Sequence, residues 1–292
     1  MALLLGLAAA LLYGGADFTG GLLSRRNGSL TVNLFGAAPA VVVAWVAIVL
    51  MGGAWPSSSA IGWGLASGIG GGAGTLLLYR GLSRGQMSVV GPVSAVGAAV
   101  LPVTVGMVSG ERPGVFTTLG ILVALPAIAL VASSGRAGAG KDGAAKTGAG
   151  RVGRVAFRAG FADGLGAGLA FGLMFVGLAR AGDGAGLWPI ACEQTSAFLL
   201  MVALAVRARQ SVRLPPRAAA VAALVGVAGL FATLLYFYAT HTGLLAIVAV
   251  LTSLYPGVTV LLARVLLREQ FSPAQRAGLA LCALAVAAIA MP

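Results

Sequence analysis

The chain has 292 residues, of which 59% are hydrophobic and 9% charged, and its formal net charge is +12. A mean hydropathy of +0.99 lies outside the range of ordinary soluble domains. No soluble domain fits between the apolar stretches, and the basic residues sit in short loops, so they report membrane topology rather than a nucleic-acid partner.

An apolar helix of about 20 residues crosses a hydrocarbon core of about 30 Å, and such stretches follow one another along the whole chain. Breaks at charged, Gly/Pro and Ser clusters predict helices near 2–23, 30–51, 60–80, 86–109 and 114–133, then near 159–179, 187–206, 217–239, 243–264 and 272–291. Met1 to Leu12 carries no Lys or Arg before its apolar run, so the first helix is expected to be retained rather than cleaved as a signal peptide. Between the two sets, residues 135–158 are rich in Gly, Ala, Lys and Arg and hold almost no large apolar side chain, which predicts a cytoplasmic basic linker.

Sliding the chain on itself by 158 positions aligns residues 1–134 with 159–292 without a gap. Identities at that offset include Gly68/Gly226, Leu76/Leu234, Leu77/Leu235, Gly85/Gly243, Val90/Val248 and Glu111/Glu269. Five helices is an odd number, so the second copy enters the membrane upside down, and the fold class expected is an all-α membrane protein of ten helices in two inverted five-helix repeats. The basic residues agree with that alternation: seventeen fall in loops after odd-numbered helices, against only Arg112 and Arg180 on the other side. Because positive loops stay inside, both termini are expected outside the cytoplasm, in a cell inner membrane. Trp55, Trp63 and Trp188 fall near the predicted outer boundary as interfacial indoles do, whereas Trp45 sits within its helix.

Small residues recur every four positions in helix six (Gly160, Gly164, Gly168, Gly172), in helix one (Ala2, Gly6, Ala10, Gly14) and in helix three (Gly64, Gly68, Gly72). Such ridges let backbones approach closely, either as fixed packing or as surfaces on which helices rock. Helix breakers occur in helix four (Pro92, Pro102) and in its repeat partner, helix nine (Pro256, Gly257), and paired interruptions in corresponding helices point to a binding site at membrane depth. Ser94, Thr252, Ser253 and Tyr255 stand beside these breaks as candidate ligand contacts; kinks that merely shape the bundle are the alternative.

Intramembrane carboxylates are costly and mark candidate sites. Glu193, followed by Gln194 and about two turns into helix seven, is the first candidate for a substrate or proton site, since an apolar surrounding disfavours its charged form. Asp17 in helix one is the second, with a counterion role near Arg25 as the alternative, and Asp163 lies nearer its helix end. Tyr13, Tyr79 and Tyr236 are candidates to line a cavity, or to serve as belt residues. Glu111 and Glu269 precede helices five and ten, where an acid favours the positive end of a helix dipole. His241, the single histidine, falls in an outer turn; Cys192 and Cys282 are lone thiols in apolar runs and read as packing. No HExxH, clustered acids or paired histidines support an enzyme, a metal site or a cofactor.

Taken together, the two repeats, residues 15–18 (GADF), YRGLSRGQMSVVGP at 79–92, GERPGVFTTLG at 110–120, GLLAIVAVLTSLYPG at 243–257 and REQFSPAQRAGLALC at 268–282 resemble the EamA-type branch of the drug/metabolite transporter superfamily. The resemblance implies a cavity walled by helices one to four and six to nine, peripheral helices five and ten, alternating access, and export of a small-molecule substrate such as an amino acid or drug-like metabolite. The partners expected are that substrate, the lipid bilayer and protons, with proton coupling through Glu193 or Asp17 set against an uncoupled facilitator, a lipid scramblase or a non-transporting bundle. A homodimer stays open.

Overall fold

The structure is a computed structural model that describes residues 1–52, 55–84, 87–132, 149–182, 184–266 and 273–290. Those residues form eleven helices and no strand: α1 (Ala2–Asn27), α2 (Ser29–Met51), α3 (Ser58–Ser83), α4 (Met87–Val108), α5 (Val115–Ala132), α6 (Ala149–Arg180), α7 (Trp188–Arg207), α8 (Pro216–Thr240), α9 (Leu245–Thr252), α10 (Tyr255–Leu266) and α11 (Pro273–Ala290). Helices dominate because a backbone in lipid must satisfy its own hydrogen bonds. Six of them, α1, α2, α3, α6, α7 and α8, are long and apolar enough to cross a membrane, while Val93–Val108, Val115–Val131, Leu245–Thr259 and Pro273–Ile289 are shorter apolar stretches.

Two boundaries differ from the sequence expectation. α6 begins at Ala149, inside the stretch assigned to the linker, because that Ala- and Arg-bearing segment is helix-permissive and is continued by the apolar run after it. The predicted ninth helix is two pieces, α9 and α10, parted at Ser253 and Leu254. Pro256 has no N–H to donate to Thr252, and the chain turns there with Leu254 N–H bonded to Leu251 O and Gly257 N–H to Leu254 O. α4, by contrast, runs unbroken past Pro92 and Pro102. Proline at Pro92 falls near the helix start, where fewer intrahelical bonds depend on its missing donor.

Packing follows the small-residue ridges. In helix six, Gly164 lies against Val90 and Val93, Gly168 against Gly97 and Ser94, and Gly172 against Leu101, so this ridge seats α6 on α4. In helix one, Gly6 meets Leu251 and Gly14 meets Tyr255 and Val258, which seats α1 on α9 and α10. α3 uses two faces: Gly64, Gly68 and Gly72 pack on α7, and Gly70 and Gly74 on α6. α2 crosses α8 where Gly36 and Gly226 touch backbone to backbone. The remaining large contacts are α1 with α8 and α5 with α11.

Charge is divided between the ends of the bundle. At one end the carboxylate of Asp163 on α6, with only 4% of its side chain exposed, pairs with Arg80 of α3 and lies 3.6 Å from Arg84. Near the same end Gln210, past the end of α7, reaches Thr31 on α2 at 3.2 Å. At the other end Trp188 stacks on Trp55 and meets Trp45 edge-on, and Trp45 Nε1 donates to Thr195 Oγ1 at 3.0 Å. Trp45 therefore belongs with the indoles at that end. Glu111 also lies here, but it does not serve the N-terminus of α5: its Oε1 accepts from Leu245 N–H at 2.6 Å and its Oε2 from Ala246 N–H at 3.0 Å, so it caps α9. The sharp turn after α4, with Glu111 N–H bonded to Gly106 O, folds the carboxylate away from α5 and toward those two free donors. Its repeat mate Glu269 lies outside the described residues. His241 closes α8 through Phe237 O and Gly182 O at this same end of the bundle.

Candidate functional site

Helical periodicity turns one face each of α1, α2, α3, α6, α7 and α8 toward a common cavity of about 130 Å³. α1 contributes Tyr13, Ala16 and Asp17; α2 contributes Asn33, Gly36, Ala37 and Ala40; α3 contributes Gly71, Gly72, Thr75 and Tyr79. From the second half come Phe171, Met174 and Phe175 of α6, Glu193, Gln194, Ala197 and Met201 of α7, and Gly226, Gly229, Leu230 and Thr233 of α8, with Tyr255 at the start of α10. Each set repeats at three or four positions, which is why residues far apart in sequence share one surface.

The polar groups are arranged with an evident bias. Thr233 donates its hydroxyl proton to Gly229 O at 3.0 Å, so Tyr13, 2.8 Å away, is the donor to Thr233 Oγ1. Thr75 donates to Gly71 O at 2.9 Å, Tyr79 to Ala16 O at 3.4 Å, and Asn33 Nδ2 to Ser29 O at 2.9 Å. The hydroxyl protons of Tyr13, Thr75, Tyr79 and Thr233 are thus used inside the protein and leave acceptor capacity, whereas the Tyr255 hydroxyl has no hydrogen-bond partner among the described residues. Phe175 braces the aromatic wall: its ring stacks on Tyr236 at 4.4 Å and meets Tyr13 edge-on at 6.2 Å, while Tyr236 donates to Phe175 O at 3.1 Å.

Glu193 is the most buried acid of the cavity, at 4% exposure. Gln194 interacts with its carboxylate, but Oε2 has no hydrogen-bond partner among the described residues. Gly71 opposes it, and a Cβ there would stand 3.1 Å from Oε1, so the glycine keeps the space in front of the carboxylate clear. Asp17 lines the same cavity. Among the described residues no Lys, Arg or His lines the cavity.

Of the side chains singled out from the sequence, Tyr13, Asp17, Tyr79, Glu193, Gln194 and Tyr255 come together here. Tyr236 is fully buried behind Phe175. Ser94 bonds to Gly91 O within α4, Thr252 reaches Gly6 O at 3.5 Å, and Ser253 is buried at the α9–α10 break, so these three lie away from the cavity. The reason is that α4 and α9 face α6, α1 and α5, leaving the cavity to neighbouring helices. Among the described residues Pro102, Pro256 and Gly257 do not line it either, and Tyr255 alone brings the broken helix to it; the side chain of Pro92 lies outside the described ones. Asn33, Thr75 and Thr233 were not foreseen; a signal existed, since Thr75 and Thr233 are identical at the 158-residue offset and Asn33 is the one amide in an apolar helix. A second, larger void of about 500 Å³ between α4, α5 and α6 is walled by apolar side chains and Thr104, with no ionisable group among the described residues that line it.

Among curated proteins no sequence matches this chain. Sixteen solved chains match it in fold, and one of these, titled only as the crystal structure of a protein, is 18% identical, superimposes with a TM-score of 0.68 and covers 99% of this chain and 96% of its own. At that identity the likeness speaks for the fold alone. The sequence pattern of the EamA-like transporter family matches residues 159–291, the stretch from α6 through α11 that supplies Glu193, Thr233 and Tyr255 to the cavity. Residues 159–291 are thus similar to the EamA-like transporter family, a likeness that covers the second half of the chain.

Proposed function

We propose that the chain is a secondary transporter that exports a small organic molecule by alternating access, with protons as the coupling ion and Glu193, assisted by Asp17, as the group that carries them. The observation that carries this reading is Glu193 itself: a carboxylate 4% exposed, with one oxygen unpartnered, facing a cavity that the two halves of the chain enclose. An acid in that setting is expensive unless something neutralises it, and a proton or a bound ligand is what a transport cycle supplies.

The two halves, 1–134 and 159–292, are read as inverted repeats, and residues 135–148, outside the described stretch, as part of their cytoplasmic connection. Support comes from the way contacts pair at the 158-residue offset: α1 on α8 corresponds to α6 on α3, α1 on α9 and α10 to α6 on α4, α2 on α8 to α7 on α3, and α5 on α11 to itself. The cavity walls pair in the same way, with Tyr13 opposite Phe171, Gly71 opposite Gly229 and Thr75 opposite Thr233. A site on such a pseudo-two-fold is exposed to one side or the other when one half rocks against its mate. α5 and α11 pack on each other away from the cavity and hold the periphery.

The test is flux in proteoliposomes and efflux in expressing cells, with pH varied on each side. Acid on the side toward which substrate moves accelerates wild-type flux several-fold, and Glu193→Gln abolishes that acceleration. Flux that Glu193→Gln leaves intact with its pH dependence unchanged would overturn the coupling role, and absence of metabolite flux with lipid movement present would replace the transporter reading by a scramblase.

A further inference from the structure

From the composition of the cavity we infer that its substrate is a small organic cation, an amine on an apolar or aromatic body, rather than an amino acid or an organic anion. The inference rests on the transporter reading and names the ligand class of the same site.

Three independent features point one way. The first is charge: two carboxylates, Asp17 and Glu193, line the cavity and, among the described residues, no Lys, Arg or His does. A substrate carboxylate would therefore be desolvated beside like charge with nothing to pair it. The helix that starts at the cavity is α10, at Tyr255, and its first turn is a poor substitute, because Pro256 has no N–H and Gly257 N–H is bonded to Leu254 O. The second is hydrogen-bond sense. Thr75, Tyr79 and Thr233 donate to backbone carbonyls and Tyr13 donates to Thr233, so these four hydroxyls offer a ligand acceptor capacity, with the Tyr255 hydroxyl left over as a donor. An ammonium brings donors and no acceptor, which is the complement of that wall. Glu193 Oε2, buried and unpartnered, is the acceptor best placed to receive it.

The third feature is shape. Tyr13, Tyr79, Phe171, Phe175 and Tyr255 supply ring surface around the acids, suited to an apolar body and to the attraction between a cation and an aromatic face. A void of about 130 Å³ is close to the roughly 150 Å³ that holds one benzene ring.

Binding to the purified protein in detergent tests the class, by calorimetry with four probes of nearly one shape: phenethylamine, phenethyl alcohol, 3-phenylpropionate and phenylalanine. The expected result is binding of the amine at least ten-fold tighter than of the other three, with Glu193→Gln weakening the amine at least ten-fold while its thermal unfolding stays cooperative. The inference is overturned if the anion or the zwitterion binds as tightly as the amine, if Glu193→Gln leaves amine affinity unchanged, or if none of the four binds the folded wild type. Flux separates this from the parent reading. Cavity-dependent export of a neutral or anionic compound would sink the cation assignment and leave the transporter standing, whereas no flux of any class in proteoliposomes would remove the transporter reading itself.

Discussion

Gly226 and Glu193 illustrate how much a single position decides in a protein with so little polar surface. At Gly226 a Cβ would run into the backbone of Gly36 on the crossing helix, so the α2–α8 crossing exists because both positions lack a side chain. Gly226→Val is expected to destabilise by about 1–3 kcal/mol through overpacking, read as a lower thermal unfolding midpoint in detergent. Gly62→Ala is the control: a Cβ there meets nothing within 4 Å, so it is expected to leave the midpoint unchanged or raised. Glu193 shows the opposite logic, a polar group kept where a hydrophobe would pack more cheaply. Its place in the sequence, an acid inside an apolar helix, was enough to single it out, because lipid makes such residues rare. That Asp163 is instead absorbed by Arg80 and Arg84 was not legible, since the pairing joins α3 to α6 across 83 positions of sequence.

Helices one to eight could be placed from hydrophobic runs alone, and the α9–α10 break falls where proline predicts trouble, next to Pro256. α4 shows the limit of the same reasoning: Pro92 and Pro102 leave it continuous, because a proline's cost depends on which carbonyls neighbouring groups can satisfy. The short α9 depends on help from outside itself. Eight residues are too few for a self-sustaining helix, and its first N–H groups are satisfied by Glu111 from the turn between α4 and α5. Glu111→Ala is expected to cost about 0.5–2 kcal/mol, the usual worth of a cap, and to speed hydrogen exchange at the Leu245 and Ala246 amides above all others. Equal exchange in both proteins would show that α9 is held by packing instead.

Across the whole molecule, the arrangement of basic residues sets an expectation for orientation that a labelling experiment decides. With Cys192 and Cys282 replaced by alanine, a single cysteine at exposed Ser58 before α3 should react with an impermeant maleimide in intact cells, and one at exposed Ser211 after α7 should react only after permeabilisation. The reverse pattern would place the termini in the cytoplasm.

Composition and hydrophobic runs were sufficient to establish an all-helical chain suited to a membrane and to single out its rare acids, because each of these is a local property of the sequence. Which helices surround the cavity was decided only in three dimensions. The glycine ridges turn α4 toward α6, and α1 toward α9 and α10, which leaves Ser94, Thr252 and Ser253 away from the cavity and brings Asn33, Thr75 and Thr233 to it. Backbone contacts between helices fix the rotation of each helix about its axis, and that rotation, which no single helix carries in its own sequence, selects the side chains that meet.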